Sequence, residues 1–159
     1  MPTPLHNASR KGHTNAIQLL IDAGADVNKK GNIGLTPLHE ASYDGHIDAI
    51  QLLIDAGADV NEKSNRGHTP LYVASEMCHI DAMQLLIDTG ANVNAMSNGG
   101  WTPLHRVLCD GHTDAIQLLI EHGAKINAED KYGHRPLYWE LMENYTDIVE
   151  LLENYGTHE

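Results

Sequence analysis

Histidine is the residue in this sequence best suited to metal binding or acid–base chemistry, since the chain of 159 residues carries eleven of them. Most of them recur at repeated places along the chain. One place holds His6, His39 and His105, and another holds His13, His46, His79 and His112. Neither an H-E-x-x-H motif nor Cys₂His₂ spacing surrounds them. The repetition therefore favours structural hydrogen bonds at helix starts and turns over a metal or catalytic role.

The two cysteines, Cys78 and Cys109, could bind a soft metal together with His79. They lie far apart in the chain and are not in C-x-x-C spacing, so a zinc site is disfavoured. Their small number also argues against a disulfide framework and indicates a reducing compartment, the cytosol or the nucleus.

Ser42, Asp44 and His46 are the residue types of a hydrolytic triad, but no G-x-S-x-G motif surrounds any serine. Gly99 and Gly100 lack the G-x-x-x-x-G-K-[ST] pattern of a phosphate loop and are better explained by a turn. We therefore expect no catalytic residue, no metal and no cofactor. The chain is predicted not to be an enzyme.

Charge and hydropathy exclude further classes of function. Ten basic and 22 acidic residues give a formal net charge of -12, which disfavours contact with nucleic acid or an anionic membrane. No apolar run approaches the roughly 18 residues of a membrane span. With 42% hydrophobic residues the chain is too apolar for a disordered segment, so we expect one folded domain.

The elements that carry these residues come from an internal repeat. Prolines stand at positions 4, 37, 70, 103 and 136, each followed by Leu and, in all but the last copy, preceded by Thr. Every interval is 33 residues, without insertion or deletion. The sequence therefore predicts five repeats in a single domain over 1–159, with approximate bounds 1–30, 31–63, 64–96, 97–129 and 130–159.

Each repeat is predicted to be a pair of helices. Thr36 can cap a first helix while Pro37 takes its first position. Gly45 breaks that helix in a left-handed conformation, and Gly57 follows the end of a second one. The second helix has its apolar residues at helical spacing, namely Ile47, Ile50, Leu53 and Ile54. So short a unit cannot bury both helices alone, which means that neighbouring copies must stack.

The residues T-P-L-H-x-A at 36–41 and again at 3–8 closely resemble the ankyrin repeat. The resemblance covers the whole chain. It implies an all-α fold, an ankyrin-repeat solenoid of stacked helix-turn-helix units joined by hairpin-like loops. It also implies a protein-binding module without chemistry of its own. Here the first repeat lacks its hairpin, and the last resembles a C-terminal cap.

Two departures from the pattern lead to structural expectations. Cys78 stands where Gly45 and Gly111 stand in their repeats, so a left-handed backbone there would cost about 1 kcal/mol. The last repeat exchanges small residues for large and acidic ones, as a terminal repeat facing water requires. These residues are Trp139, Glu140, Glu143, Glu150 and Glu153.

Comparing the copies with one another points to a binding surface. Residues 3–30 and 36–63 differ at only six of 28 places, and two of these are adjacent, Arg10-Lys11 against Tyr43-Asp44. In the ankyrin family this pair ends the first helix on the concave side, and the neighbouring finger positions also bind partners. The resemblance therefore implies a partner-binding set of Ile33, Leu35, Tyr43, Asp44, Arg66, His68, Glu76, Met77, Trp101, Asp110, Tyr132 and His134.

We expect this set to form one continuous groove with an apolar centre and an acidic edge. Such a groove suits a protein partner, a basic one by charge complementarity, with the chain itself a monomer. Three alternatives stay open. The varied positions are unconstrained surface, the chain is a scaffold or part of a longer array without its own target, or it is a host-directed effector from an intracellular microbe.

Overall fold

The computed structural model describes residues 1–136, residue 138 and residues 146–156, with the backbone alone for 146–149 and 156. Within these residues the chain forms nine α-helices and no strand, which confirms the predicted all-α class. A short 3₁₀ turn covers Asn32–Gly34. The helices are α1 Pro4–Lys11, α2 Thr14–Asp22, α3 Pro37–Tyr43, α4 Ile47–Asp55, α5 Pro70–Glu76, α6 Ile80–Asp88, α7 Pro103–Cys109, α8 Thr113–Glu121 and α9 Thr146–Gly156.

The helices fall into two compact units, Met1–Asn92 and Val93–Glu159. The first unit holds three helix pairs. Its first helices stack in the order α1, α3, α5, and its second helices stack in the order α2, α4, α6. In the second unit α7 packs on α8. That the whole chain is a single domain stays a prediction.

Threonine and proline start the first helix of four repeats as predicted. Thr36 Oγ1 accepts a hydrogen bond from the backbone N–H of His39 at 3.4 Å, and Pro37 is the first helical residue. Thr3, Thr69 and Thr102 do the same for α1, α5 and α7. Because the cap satisfies a donor that the helix leaves unpaired, it fixes where each first helix begins.

The core of each second helix is smaller than its apolar spacing suggests. All four residues at the predicted helical spacing lie in α4. Ile50 and Leu53 are fully buried and Ile54 is half-buried, whereas Ile47 is 36% exposed. Ile47 is the first residue of α4, and the equivalent first residue of α2 is Thr14. The packing therefore does not require an apolar side chain at this position.

The turns between the helices confirm the glycine predictions. Gly45 and Gly57 have φ values of +69° and +95°. Cys78 has φ +55°, so the expected left-handed backbone at a non-glycine residue is present. In the last repeat Glu150 and Glu153 are exposed, whereas Trp139, Glu140 and Glu143 lie outside the described residues.

Loops between the helix pairs form the predicted fingers, and in each a backbone hydrogen bond joins the first residue to the last. In the first finger, residues 31–35, the Gly31 N–H donates to Leu35 O at 2.7 Å. The second finger, residues 64–68, is closed from Ser64 N–H to His68 O at 2.9 Å. The third (97–101) and fourth (130–134) fingers, both in the second unit, close in the same way.

An asparagine joins the end of each second helix to the next repeat, and we call this contact the asparagine clamp. The Asn28 side-chain amide donates to Gly57 O at 3.1 Å, while its oxygen accepts the Asp59 N–H at 2.7 Å. Asn61 makes the same pair of bonds to Gly90 and Asn92. In the second unit Asn94 makes them to Gly123 and Lys125. Each clamp satisfies two backbone groups across a repeat boundary.

Candidate functional site

Five histidines at the two repeated places, His6, His39, His46, His79 and His105, bond to a neighbouring repeat. His39 is fully buried; its Nδ1 lies 3.1 Å from the Thr36 backbone N, and its Nε2 lies 2.9 Å from His68 O. Because the Thr36 N–H can only donate, Nδ1 accepts, so the ring proton is assigned to Nε2, which donates to His68 O. Burial lowers the pKa of His39 from 6.5 to about 4, although the bond to His68 O opposes the shift.

The same contacts recur at other histidines. His6 Nε2 lies 3.0 Å from Leu35 O and His105 Nε2 lies 3.2 Å from His134 O. At the second repeated place, His46 Nε2 lies 3.0 Å from Arg10 O, and His79 Nε2 lies 3.0 Å from Tyr43 O. These rings tie one repeat to the next, which confirms the structural role predicted for them.

Possible metal ligands are dispersed. Among the residues that the structure describes, no three His, Cys, Asp or Glu side chains are placed to hold one ion. Cys78 and Cys109 are not joined by a disulfide, and each is half-buried.

Three of the predicted contact residues in the first unit are exposed apolar side chains. Ile33 is 57% exposed, Tyr43 44% and Met77 40%. They come from the first finger and from the carboxyl-terminal ends of α3 and α5. Asp44 and Arg66 are also exposed, and Leu35 and Glu76 are half-buried. We call this set of seven residues the helix-and-finger face.

A cavity of about 190 Å³ adjoins the helix-and-finger face. It is lined by Arg10, Leu35, His39, Glu40, Tyr43 and Val73. Leu35, Tyr43 and Val73 supply apolar walls, and Arg10 and Glu40 supply one charge of each sign. The cavity is smaller than a typical pocket for a drug-sized molecule, so it is suited to a single side chain of a larger partner.

Glu40 belongs to this cavity and was missing from the predicted set. It is half-buried, and burial raises the pKa of its carboxyl group while His6 and Arg10 oppose the rise. It is one of the six places where the first two repeats differ, and Val73 and Arg106 replace it in later repeats. The comparison between copies therefore contained the information that identifies this position.

Ile33 has a strained backbone. Its φ of +53° lies in the left-handed region, which a β-branched residue rarely adopts. The Asn65 N–H donates to Ile33 O at 2.9 Å and ties the first finger to the second. The third finger has Gly99 at the same place. An exposed isoleucine with a left-handed backbone indicates a function for its side chain.

Replacing Ile33 with glycine is expected to stabilise the protein by up to about 1 kcal/mol, because glycine adopts this φ without a steric penalty. Urea denaturation of Ile33→Gly and the parent chain measures the change. A lower free energy of unfolding in the variant would show that the isoleucine packs favourably and is not strained.

His68, a predicted contact residue of the first unit, also has a structural role. Its ring stacks on Tyr72 with centroids 4.2 Å apart, and its carbonyl oxygen accepts the bond from His39. Tyr72 stands in the third repeat where His39 stands in the second. The stacking explains why a histidine precedes this tyrosine.

In the second unit, the predicted residue Trp101 is held by a hydrogen bond within the unit. It is half-buried, and its Nε1–H donates to Asp130 Oδ2 at 3.3 Å. Burial disfavours the Asp130 carboxylate, but the backbone N–H groups of His134 and Tyr132 and the nearby His134 ring outweigh it and hold the pKa of Asp130 below its usual value. The hydrogen bond of Trp101 therefore joins the third finger to the fourth.

The other predicted residues of the second unit differ in exposure. Tyr132 is 70% exposed, with Lys131 Nζ 5.0 Å from the centre of its ring. Asp110 is exposed and forms an ion pair with Arg106, with its Oδ2 3.0 Å from a guanidinium nitrogen. His134 is half-buried, and its ring stacks on Tyr138 at 4.2 Å. Tyr132 is thus the most accessible of the four predicted residues.

Comparison with known families accounts for this architecture. A family model described as three copies of the ankyrin repeat matches residues 5–97 and again residues 90–158. The chain belongs to the ankyrin-repeat family. Ankyrin repeats are generally protein–protein interaction modules. No curated protein matches this ankyrin chain in sequence. None of its helices within the described residues has the length and apolar character needed to cross a membrane.

Proposed function

We propose that this ankyrin-repeat protein binds a partner protein through the helix-and-finger face and carries out no chemistry of its own. The observation that supports the proposal is the exposure of Ile33, Tyr43 and Met77, of which Tyr43 lines a cavity of about 190 Å³. Large apolar side chains grouped on one face of a folded unit are typical of interaction sites. The strain at Ile33 adds to the argument, since the fold alone does not require that residue.

Tyr43 is proposed as the anchor of the contact. It lines the cavity, and its backbone is fixed because its carbonyl oxygen accepts a bond from His79. A tyrosine loses little conformational entropy on binding, and its ring offers apolar area next to a polar hydroxyl. An apolar side chain of the partner would fill the cavity between Leu35, Tyr43 and Val73.

The charges on the face favour a basic partner. Asp44, Glu76 and the cavity residue Glu40 are acidic, while Arg10 and Arg66 are the basic residues nearby. Complementary charge at the rim of an interface raises the association rate and excludes wrong partners more than it raises affinity. In the second unit Trp101, Asp110, Tyr132 and His134 remain proposed contacts, with Tyr132 as the principal one.

The test is a comparison of two exposed residues on different helices. We first check that the full chain and the variants Tyr43→Ala and Ile47→Ala have the same melting temperature. Each protein is then immobilised and incubated with the same cell lysate. We expect a protein that binds the parent chain and Ile47→Ala to bind Tyr43→Ala at least tenfold more weakly, the typical loss at an interface anchor.

Equal binding of that protein to all three chains would refute the helix-and-finger face as the site. Capture of no protein by any of them would favour the alternative function, a scaffold or part of a longer array without its own target.

A further inference from the structure

The first three fingers carry an exposed asparagine at the same position, and the residue that follows it differs from one finger to the next. The pairs are Asn32-Ile33, Asn65-Arg66 and Asn98-Gly99. Only in the third pair does the following residue lack a side chain. The backbone of that pair is therefore the least hindered in approaching its own asparagine side chain.

An Asn-Gly pair can react with itself. The glycine nitrogen forms a bond to Cγ of the asparagine, the bond from Cγ to the amide nitrogen breaks, and ammonia leaves with the proton of the glycine N–H. Water then opens the resulting five-membered ring. Opening at Cγ gives aspartate, whereas opening at the main-chain carbonyl gives isoaspartate, in which the main chain runs through the former side chain. Water is the only other reactant, and the product carries a new negative charge.

The third finger differs from the second in the state of the nitrogen that would react. In the second finger the Arg66 N–H donates to Ser64 Oγ at 3.3 Å. In the third finger the Gly99 N–H donates no hydrogen bond to any residue that the structure describes. The space beside Gly99 is also open, since a Cβ built there would have Ser97 Oγ as its nearest neighbour, at 3.8 Å. Both differences favour ring closure at Asn98.

The third finger has little room for a longer backbone. Its Gly99 O accepts the Lys131 N–H at 3.1 Å, a bond that joins the third finger to the fourth. Gly100 lies so close to the fourth finger that an added Cβ would be 2.7 Å from Lys131 N. Isoaspartate at position 98 inserts one methylene group into the main chain just before Gly99. The carbonyl of Gly99 must then move, and its bond to Lys131 is lost.

We propose that Asn98 is a site of spontaneous deamidation through Gly99, and that the isoaspartate formed there breaks the backbone bond between the third and fourth fingers. The inference does not depend on the helix-and-finger face. It rests on the Asn-Gly pair in an exposed turn, on the Gly99 N–H and on the close contact of Gly100 with Lys131.

The first experiment follows the amide of each finger asparagine. The full chain is incubated at slightly alkaline pH in water enriched in oxygen-18, and a synthetic peptide of residues 95–101 is incubated in parallel to time the reaction of the unfolded pair. Proteolysis and mass spectrometry then locate the changes. We expect Asn98 to lose ammonia and take up oxygen-18, with isoaspartate among the products, while Asn32 and Asn65 keep their amides.

Two variants supply matched controls. Gly99→Arg copies the second finger and should leave Asn98 unconverted, and it should fold because the space beside Gly99 is open. Asn98→Asp adds the same charge as the reaction without lengthening the main chain. The isoaspartate form is separated by chromatography, and amide hydrogen exchange at Lys131 is compared. We expect exchange about fivefold faster in the isoaspartate form, as for loss of one hydrogen bond, and unchanged in Asn98→Asp.

The proposal is overturned if the peptide converts fully while Asn98 of the full chain keeps its amide, or if Asn65 converts as fast as Asn98. Equal conversion in Gly99→Arg would also overturn it, because the reaction would then not depend on an unhindered Gly99. Unchanged exchange at Lys131 in the isoaspartate form would refute the proposed loss of the bond between the fingers.

Discussion

Lowering the pH from 7 to 4 is expected to reduce the free energy of unfolding by about 3 kcal/mol through His39 alone. The folded protein holds this ring neutral, with a pKa of about 4, because it is buried and its Nδ1 accepts the Thr36 N–H. Protonation would put two donors, the Nδ1–H and the Thr36 N–H, face to face.

The direction of the effect follows from proton binding. Between pH 6.5 and about 4 the unfolded chain binds a proton at His39 that the folded chain does not, so stability rises with pH in this window. The contribution is complete above pH 6.5 and is lost as the pH falls through 4. Burial also lowers the pKa of His105, which adds to the loss in the same direction.

Urea denaturation of the chain and of His39→Tyr at a series of pH values tests this expectation. Tyrosine is a suitable replacement, because Tyr72 occupies the same place in the third repeat and is buried there. We expect the variant to be less stable at pH 7 but to show a shallower dependence on pH. An unchanged slope in His39→Tyr would assign the acid sensitivity to other groups.

Exchanging glycine and cysteine at equivalent turns should give opposite changes in stability. Gly45→Cys is expected to cost about 2–4 kcal/mol, because the backbone has φ +69° and an added Cβ would lie 2.7 Å from the His79 ring. That ring cannot move away without losing its bond to Tyr43 O. Cys78→Gly is expected to gain about 1 kcal/mol, because it removes the left-handed penalty at φ +55°.

Thermal and urea unfolding of the two variants provide the measurement, and Cys109→Ala serves as a control for loss of a thiol outside a left-handed turn. If Cys78→Gly destabilised the chain, the cysteine side chain would contribute more than its backbone strain costs. If Gly45→Cys were neutral, the close approach of the His79 ring would not restrict this turn.

Helix boundaries and turns could be predicted from the sequence, because each depends on a local rule repeated every 33 residues. Thr36, Pro37 and Gly45 act through capping, a fixed φ and a left-handed φ, and none of these needs knowledge of distant residues. The histidine contacts were likewise predicted in kind, since a repeated place implies a repeated bond.

The candidate site was less predictable, because it depends on how side chains from different repeats meet. The sequence predicts that Trp101 is a partner-binding residue on the surface. In the structure its indole N–H donates a hydrogen bond to Asp130, 29 residues later. The cavity beside Tyr43 requires the relative positions of the first finger, α3 and α5. The left-handed φ of Ile33 contradicts its residue type and could not be expected from propensity.

The most direct test of the central claim is to map the contact surface in a complex. A protein captured by the parent chain and lost with Tyr43→Ala is purified, and amide hydrogen exchange of the full chain is measured with and without it. The account predicts slowed exchange at Ile33, Tyr43 and Met77, with α2 and α4 unchanged. Slowed exchange confined to α2 and α4 would contradict the account and place the partner on the second helices.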